Sequence, residues 1–519
     1  MKAKSLFMSA VSLCAVCAAT VPVSAGEVNI IPLPQKIAVK SGVFSRKGNM
    51  SVAFDSKAAG AKEAAALFCE AFGGELAADA GKAPVAFAAA TGKIEREGYV
   101  LSVTPETVRV EAGDPAGFFY AVQTLRQLSP DACATGKLGD AFPAVEISDA
   151  PRYHWRGLLL DECRHFFGIK EVKRLLDQMA FYKMNVLHWH LTDDQGWRIE
   201  IDAYPDLAKY GSRRPATWKW GRGRGRNDGK PYGPFFYTKA QIREVLDYAA
   251  KRHVAVMPEI EMPGHSYAVV SVYPEFYCEG QQKIEGRGAA TKTGVFREVV
   301  CPSNPKTYEF YEKVLDEVCE LFPSQYIHIG GDEVPRKNWK TCPRCQAFMK
   351  AHGMKNESAL QSHFTGHFTK YLSKKGRRAI GWDEILEGGI PKETMVMSWR
   401  GAKGGIKAAS AGHDVVMTPN THCYFDYTYK RISTEKAYMF NPCAGIPADK
   451  QSHVLGGQCN NWTERTPTPK SLESKIFPRV FGMAEALWTA PEKRDYKEFA
   501  TRAKAHSAIA GKAGITVQK

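Results

Sequence analysis

After its first 25 residues the chain has no run of about 20 continuous apolar residues, which excludes a bilayer-crossing helix from that part. Beyond those residues it has one Cys-X-X-Cys pair, Cys342–Cys345, and no second. A zinc ribbon needs two such pairs, so no metal site is expected, and no cofactor motif accompanies it. No glycine-rich phosphate loop follows the first buried strand, where "DECRHFFG" stands instead, which speaks against a doubly wound nucleotide-binding sheet. Acidic residues are outnumbered, 55 to 70, giving a formal charge of +15. No nucleic-acid motif accompanies that excess, so it reads as a solvated basic surface. The densest basic run, Gly221–Arg226, is flanked by Trp218 and Trp220 and reads as a long surface loop.

What is present is ordinary for a globular chain, with 44% hydrophobic and 24% charged residues over a length that suits two domains. Residues 1–25 pair a Lys-bearing start with an apolar run and end in Val23-Ser24-Ala25, the pattern of a cleaved export signal. Cys14 and Cys17 lack the small residue that precedes a lipidated cysteine. Cleavage would remove Lys2 and Lys4, lowering +15 to +13, and would place the protein in the periplasm or outside the cell. Of the 13 cysteines, 11 follow Ala25, so at least one thiol stays unpaired in a monomer. Cys278 and Cys301 bracket a Gly- and Lys-rich excursion and are the expected disulfide pair. Oligomeric state is left open.

Two grammars divide the rest. Residues 26–150 mix a predicted hairpin, Glu97–Gly113, with helical patterns at Ala61–Phe72 and Pro115–Leu128, an accessory α+β domain. Residues 151–505 alternate short apolar runs with amphipathic stretches such as Ile169–Tyr182 and Thr238–Arg252. Eight runs read as strands: 157–161, 185–191, 254–260, 326–330, 378–382, 395–399, 414–418 and 453–458. This predicts a (β/α)8 TIM barrel whose largest insertion separates strands two and three, with 506–519 as a C-terminal tail.

Active sites of such barrels lie where the strands end. There the chain sets Arg164, Asp193, Glu261 with His265, Asp332 with Glu333, Trp382, Trp399, Tyr424 and Trp462. Indole faces stack on the C–H faces of sugars, while carboxylates and arginine bond the hydroxyls, so the set points to a carbohydrate pocket.

The adjacent acids sharpen this reading. Successive strand residues face opposite ways, so Asp332 and Glu333 converge only where the chain turns, and Gly330-Gly331 permits that turn. Two carboxylates in one pocket raise one pKa and yield a proton donor near neutral pH. Ordinary retaining glycosidases place acid and nucleophile ~5–5.5 Å apart across the scissile bond. Sequence neighbours, with Cα atoms ~3.8 Å apart, are poorly placed for that. In a more natural division Glu333 serves the leaving oxygen, while Asp332 orients a 2-acetamido group whose carbonyl oxygen attacks the anomeric carbon.

The motif "HIGGDEV" resembles the catalytic signature of glycoside hydrolase family 20, the β-N-acetylhexosaminidases. The similarity extends through "WRGLLLDECRHF", "NVLHWHLTDDQGWRIEI", "PEIEMPGH", "GWDEI", "YFDY" and "LGGQCNNWTE" to "IFPRVFGMAEALWT", and so spans residues 151–490. It implies an exo-acting, retaining, substrate-assisted enzyme that needs no cofactor or metal and acts on terminal β-linked GlcNAc or GalNAc. Glu333 would be the acid and base, Asp332 the acetamido-orienting carboxylate, and Tyr424 a donor to the acetamido carbonyl. Trp382, Trp399 and Trp462 would wall the pocket. Arg164, Asp426 and Glu464 would hold the hydroxyls, and Asp193 and His265 would support the catalytic pair. One departure is visible: the family usually has Asp where this chain has Glu261, which puts the His265 contact in doubt. Two alternatives remain at this stage, a two-carboxylate glycosidase using Asp193 or Glu259 as nucleophile and an inactive glycan-binding protein on the same scaffold.

Overall fold

Alternating burial along short strands, then unbroken burial along others, divides the computed structural model into the two parts expected. It describes residues 28–46, 48–77, 83–129, 141–219, 225–282 and 284–518. The leader and Gly221–Arg224 lie outside the described residues.

The first part is a seven-stranded sheet between Lys36–Ser45 and Ala141–Asp149, in the order first, seventh, fifth, sixth, fourth, second, third. The predicted hairpin is present as Tyr99–Val103 paired antiparallel with Val108–Ala112. Both strands bury alternate residues, Tyr99, Leu101 and Val103 on one and Val108, Val110 and Ala112 on the other, as a half-buried sheet requires. Two helices, Ala61–Phe72 and Pro115–Leu128, cover that face with Phe68, Phe72, Phe118 and Leu125. The second starts where it does because Asp114 accepts the Gly117 N–H at 2.8 Å and Pro115 occupies the first turn.

The second part is a closed barrel of eight parallel strands: Trp155–Asp161, Val186–His190, Ala255–Glu259, Tyr326–His328, Arg378–Trp382, Met395–Ser398, Val415–Met417 and Val454–Asn461. Each pairs with the next, and the eighth closes on the first. Nearly every strand residue is buried, because helices cover the outside and side chains fill the inside. The helix Ile169–Phe181 buries Val172, Leu175, Leu176 and Met179, the three-and-four spacing that makes one apolar stripe.

Two expectations need correction. Residues 260–325, between strands three and four, form a slightly longer connection than residues 191–254, between strands two and three. They hold both a cysteine-bearing loop and the helix Pro305–Leu321. The boundary at 505, given for a tail 506–519, falls inside the helix Tyr496–Lys512, and Ile515 beyond it is buried, so the described part of that tail belongs to the packed body. His506 and Arg502 on that helix bond the Asn29 and Ile30 carbonyls at 2.9 and 2.7 Å, fastening the start of the accessory domain to the barrel. Among the described residues no helix is long and apolar enough to cross a membrane.

A buried charge network joins the two parts. Lys183 Nζ reaches Asp149 at 3.1 Å and the Tyr99 hydroxyl at 2.9 Å, and the Trp488 indole donates to the other Asp149 oxygen at 2.8 Å. Beside it Arg156 donates to Glu97 at 2.7 Å.

Candidate active site

All eleven predicted site residues lie at the C-terminal ends of the barrel strands and form one connected assembly. After strand four the backbone turns through Gly330 (φ 62°), Gly331 (φ 95°) and, unusually for a residue with a side chain, Glu333 (φ 49°). Only that left-handed excursion brings two consecutive carboxylates to one place. The helix Glu357–Lys374 holds the turn from behind, its Gln361 side-chain amide donating to the Gly331 carbonyl at 2.8 Å. A Cβ on Gly330 would lie 1.8 Å from Glu261 Oε2, so the two residues share a single volume.

Beneath the pair sits His265, itself at φ 45°. Its Nε2 is 3.6 Å from Asp332 Oδ2 and 3.7 Å from Glu333 Oε2. Its Nδ1 faces Asp194 Oδ2 at 3.0 Å and Asp193 Oδ1 at 3.4 Å. Burial opposes its charge, yet Asp193 and Asp332 hold its pKa well above the usual histidine range. The imidazolium therefore stands under both carboxylates. Glu261 is not its hydrogen-bond partner, which resolves the doubt raised by the departure from aspartate: Asp194 takes that place. Burial, with Asp332 and Glu259 nearby, drives Glu261 well above the carboxylate range, and neither of its oxygens has a partner.

Glu333 differs from the acids around it. Its side chain is 42% exposed, while Asp193 is buried and Asp332 nearly so. Partial burial first, and the Asp332 charge second, raise its pKa. Asp332 keeps one buried oxygen, Oδ1, with no partner.

The other wall is aromatic. Trp399 and Tyr424 stack with centroids 6.0 Å apart, and Trp462 lies 6.5 Å from Tyr424 and 5.9 Å from Trp382. Tyr424 is pinned beside strand eight by Phe425 N–H to the Asn460 carbonyl at 2.7 Å and Asn460 N–H to the Cys423 carbonyl at 2.8 Å. Burial, then the charge of Asp426, holds the Tyr424 hydroxyl well above its ordinary range, so it stays a donor. Trp382 is only 1% exposed and gives its indole N–H to Glu259 at 2.8 Å. It is the floor of the site, not a side wall.

Arg164 closes one end. Its Nε donates to Gln195 at 2.7 Å, its terminal nitrogens reach Asp193 at 2.8 Å and Asp161 at 3.2 Å, and Glu464 is 3.9 Å away. Its guanidinium lies 5.2 Å from the Trp462 ring. Asp426, beside Glu464, is pushed up to about 7 by burial and by that neighbour, and its Oδ1 lacks a partner.

Sequence reasoning missed Asp194 as the histidine's partner, Gln195 as the arginine's, and Glu384, whose Oε2 accepts the Trp399 indole N–H at 2.9 Å. Burial and then Asp332 push Glu384 up to about 9. The available signal was the clustering of "TDDQ" at a strand end and the acid two residues after Trp382. Glu259 and Asp193 are unfit as nucleophiles. Glu259 is enclosed by His188, His190, His328 and Trp382, and Asp193 by Arg164, His190 and the Asp194 N–H. The two-carboxylate alternative is thereby left without its second carboxylate.

Comparison with known proteins gives the family of both parts. Residues 153–491 match the family description "Glycosyl hydrolase family 20, catalytic domain", and residues 27–150 match its "domain 2". The chain belongs to glycosyl hydrolase family 20. As a member it carries both the catalytic domain and the second domain of that family. A beta-hexosaminidase of Porphyromonas gingivalis is 40% identical over 79% of this chain and 53% of its own length, so this chain spans about half of that relative. One of Akkermansia muciniphila is 34% identical over 78% of this chain and 82% of its own length. Among solved structures, a Vibrio harveyi exo β-N-acetylglucosaminidase in complex with N-acetylglucosamine superposes with a TM-score of 0.84. It shares 32% identity and covers 96% of this chain and 79% of that one.

Proposed function

We propose that the chain removes terminal, non-reducing β-linked N-acetylhexosamine, GlcNAc or GalNAc, from glycans with retention of configuration, using the substrate's own acetamido oxygen as nucleophile. The observation that carries this reading is an unpartnered oxygen, Asp332 Oδ1, beside a half-exposed acid, while the two candidate nucleophiles Glu259 and Asp193 are both taken up by other partners.

The steps follow from that arrangement. Glu333, whose pKa burial and the Asp332 charge raise, gives its proton to the glycosidic oxygen. Asp332 accepts the acetamido N–H, and the Tyr424 hydroxyl donates to the acetamido carbonyl, whose oxygen attacks the anomeric carbon as the aglycone leaves. The resulting oxazolinium is cationic and lies against Asp332, which stabilises it. Glu333, now a carboxylate, takes a proton from water as that water attacks the same carbon, and the acetamido group is restored. Trp399 and Trp462 line the sugar, Trp382 underlies it, and Arg164, Asp426 and Glu464 take its outer hydroxyls. The leader sequence supports export to the periplasm or the medium.

Parallel kinetics on 4-nitrophenyl β-GlcNAc, β-GalNAc and β-glucoside test this. Turnover of an N-acetylhexosaminide with at least ~10³-fold loss on the glucoside is expected, because the glucoside lacks the nucleophile. Comparable cleavage of the glucoside would sink the mechanism, and no turnover of any substrate would favour a binding protein.

A further inference from the structure

The disulfide expected between Cys278 and Cys301 is not formed: all ten cysteines among the described residues are free thiols. Instead Cys278 and Cys301 meet Cys342 and Cys345, so the lone Cys-X-X-Cys pair has the second pair it was thought to lack. The four sulfurs lie within 4.8 Å of one another, with Cys345 Sγ 3.5 Å from Cys301 Sγ and 4.0 Å from Cys278 Sγ. Four sulfurs about 2.3 Å from a tetrahedral Zn²⁺ would sit about 3.8 Å apart. Cys278 is 5% exposed and the other three are fully buried, enclosed by Val299, Trp339, Met349 and Leu360.

We propose that these four cysteines form a structural Zn²⁺ site, separate from the catalytic pocket. Each thiol would lose its proton on binding, leaving a tetrathiolate of net charge −2. The surroundings suit that charge. Cys342 caps the helix Pro343–Ala351, so the partial positive charge of the helix start lies at two of the sulfurs. The Ser303 hydroxyl donates to Cys345 Sγ at 3.2 Å and lies 3.3 Å from Cys301 Sγ. Arg344, between the paired cysteines, bonds Glu279, next to Cys278, at 2.9 Å.

Topology gives the site its purpose. Cys278 and Cys301 close the neck of the excursion that follows strand three, where Cys301 N–H meets the Phe276 carbonyl at 2.8 Å. Cys342 and Cys345 stand on the connection after strand four, nine residues past Glu333. The metal would tie the connection bearing His265 to the one bearing the catalytic pair, alongside the Trp339 indole N–H, which reaches the Val300 carbonyl at 3.2 Å.

The full chain, expressed with its leader and purified without chelator or reductant, is tested by elemental analysis and zinc K-edge absorption. About one zinc per chain with four sulfur neighbours at about 2.3 Å is expected. A Cys345→Ser variant should fall below about 0.2 zinc per chain, while Cys319→Ser, outside the cluster, should keep its metal. The wild-type measurements stand even if Cys345→Ser fails to fold. Absence of zinc with four freely alkylated thiols would overturn the proposal. So would zinc held by nitrogen or oxygen, or a denatured mass lower by four hydrogens, the mark of two disulfides.

Discussion

Two buried charge networks lie at different places on the barrel, and only one has anything left over. Between the domains, Lys183, Asp149, Tyr99, Gln35 and Trp488 satisfy one another: both Asp149 oxygens accept hydrogen bonds, and the lysine finds an acid and a hydroxyl. At the strand ends, Arg164, Asp193 and His265 are equally well paired. That network, however, terminates in Asp332 Oδ1, Asp426 Oδ1 and a half-exposed Glu333. A closed set of partners fixes geometry and does nothing more. An open one holds hydrogen-bonding capacity in reserve for a ligand, and burial makes that reserve costly until the ligand arrives.

The sharpest way to test the contrast is to remove the proton donor. Glu333→Gln should lower kcat by ~10³–10⁴ on glycosides with poor leaving groups and leave thermal stability nearly unchanged. An activated aryl substrate, which departs without a proton, should recover much of the loss. The opposite pattern is expected in the closed network. Lys183→Met strands Asp149 and should cost about 3–5 kcal/mol of stability, read as a lower unfolding midpoint, with kcat and KM of the folded enzyme unchanged. A fall in kcat there would mean that the networks are coupled.

Asp332→Asn should reduce kcat by about 10²-fold. It also carries a sign. Asp332 raises the Glu333 pKa by repelling its charged form, so neutralising it should move the basic limb of the pH–rate profile to lower pH. A limb that moves upward contradicts the assignment.

The smallest effect belongs to His506 under the accessory domain. Burial depresses its pKa to about 4. The unfolded chain therefore binds a proton at a higher pH than the folded one, and stability should be full above about pH 6.5 and fall as pH drops toward 4, by at most about 3 kcal/mol. His506→Asn should flatten that slope in pH-dependent denaturation.

Much of this was legible in the sequence, and for identifiable reasons. Barrel strands buried on both faces read as short apolar runs, so all eight were placed within a few residues. The glycine pair before Asp332 announced a turn. What could not be read was contact between distant connections. Cys278, Cys301, Cys342 and Cys345 look like one excursion and one isolated motif until strands three and four, side by side in the barrel, bring their loops together. Asp194 was hidden because one of two adjacent acids in a hairpin cannot be matched to His265 from spacing alone. The C-terminal helix was cut short because its charged outer face resembles a solvated tail, and only its buried Phe499, Ala503 and His506 reveal the packed side.

Gly330 and Glu261 constrain which substitutions this corner of the enzyme can accept. Shortening Glu261 to aspartate vacates room at once, whereas enlarging Gly330 first drives a methyl into a carboxylate and strains a left-handed backbone. A side chain at position 330 therefore finds room only once Glu261 is shortened, and even then it must adopt a left-handed backbone.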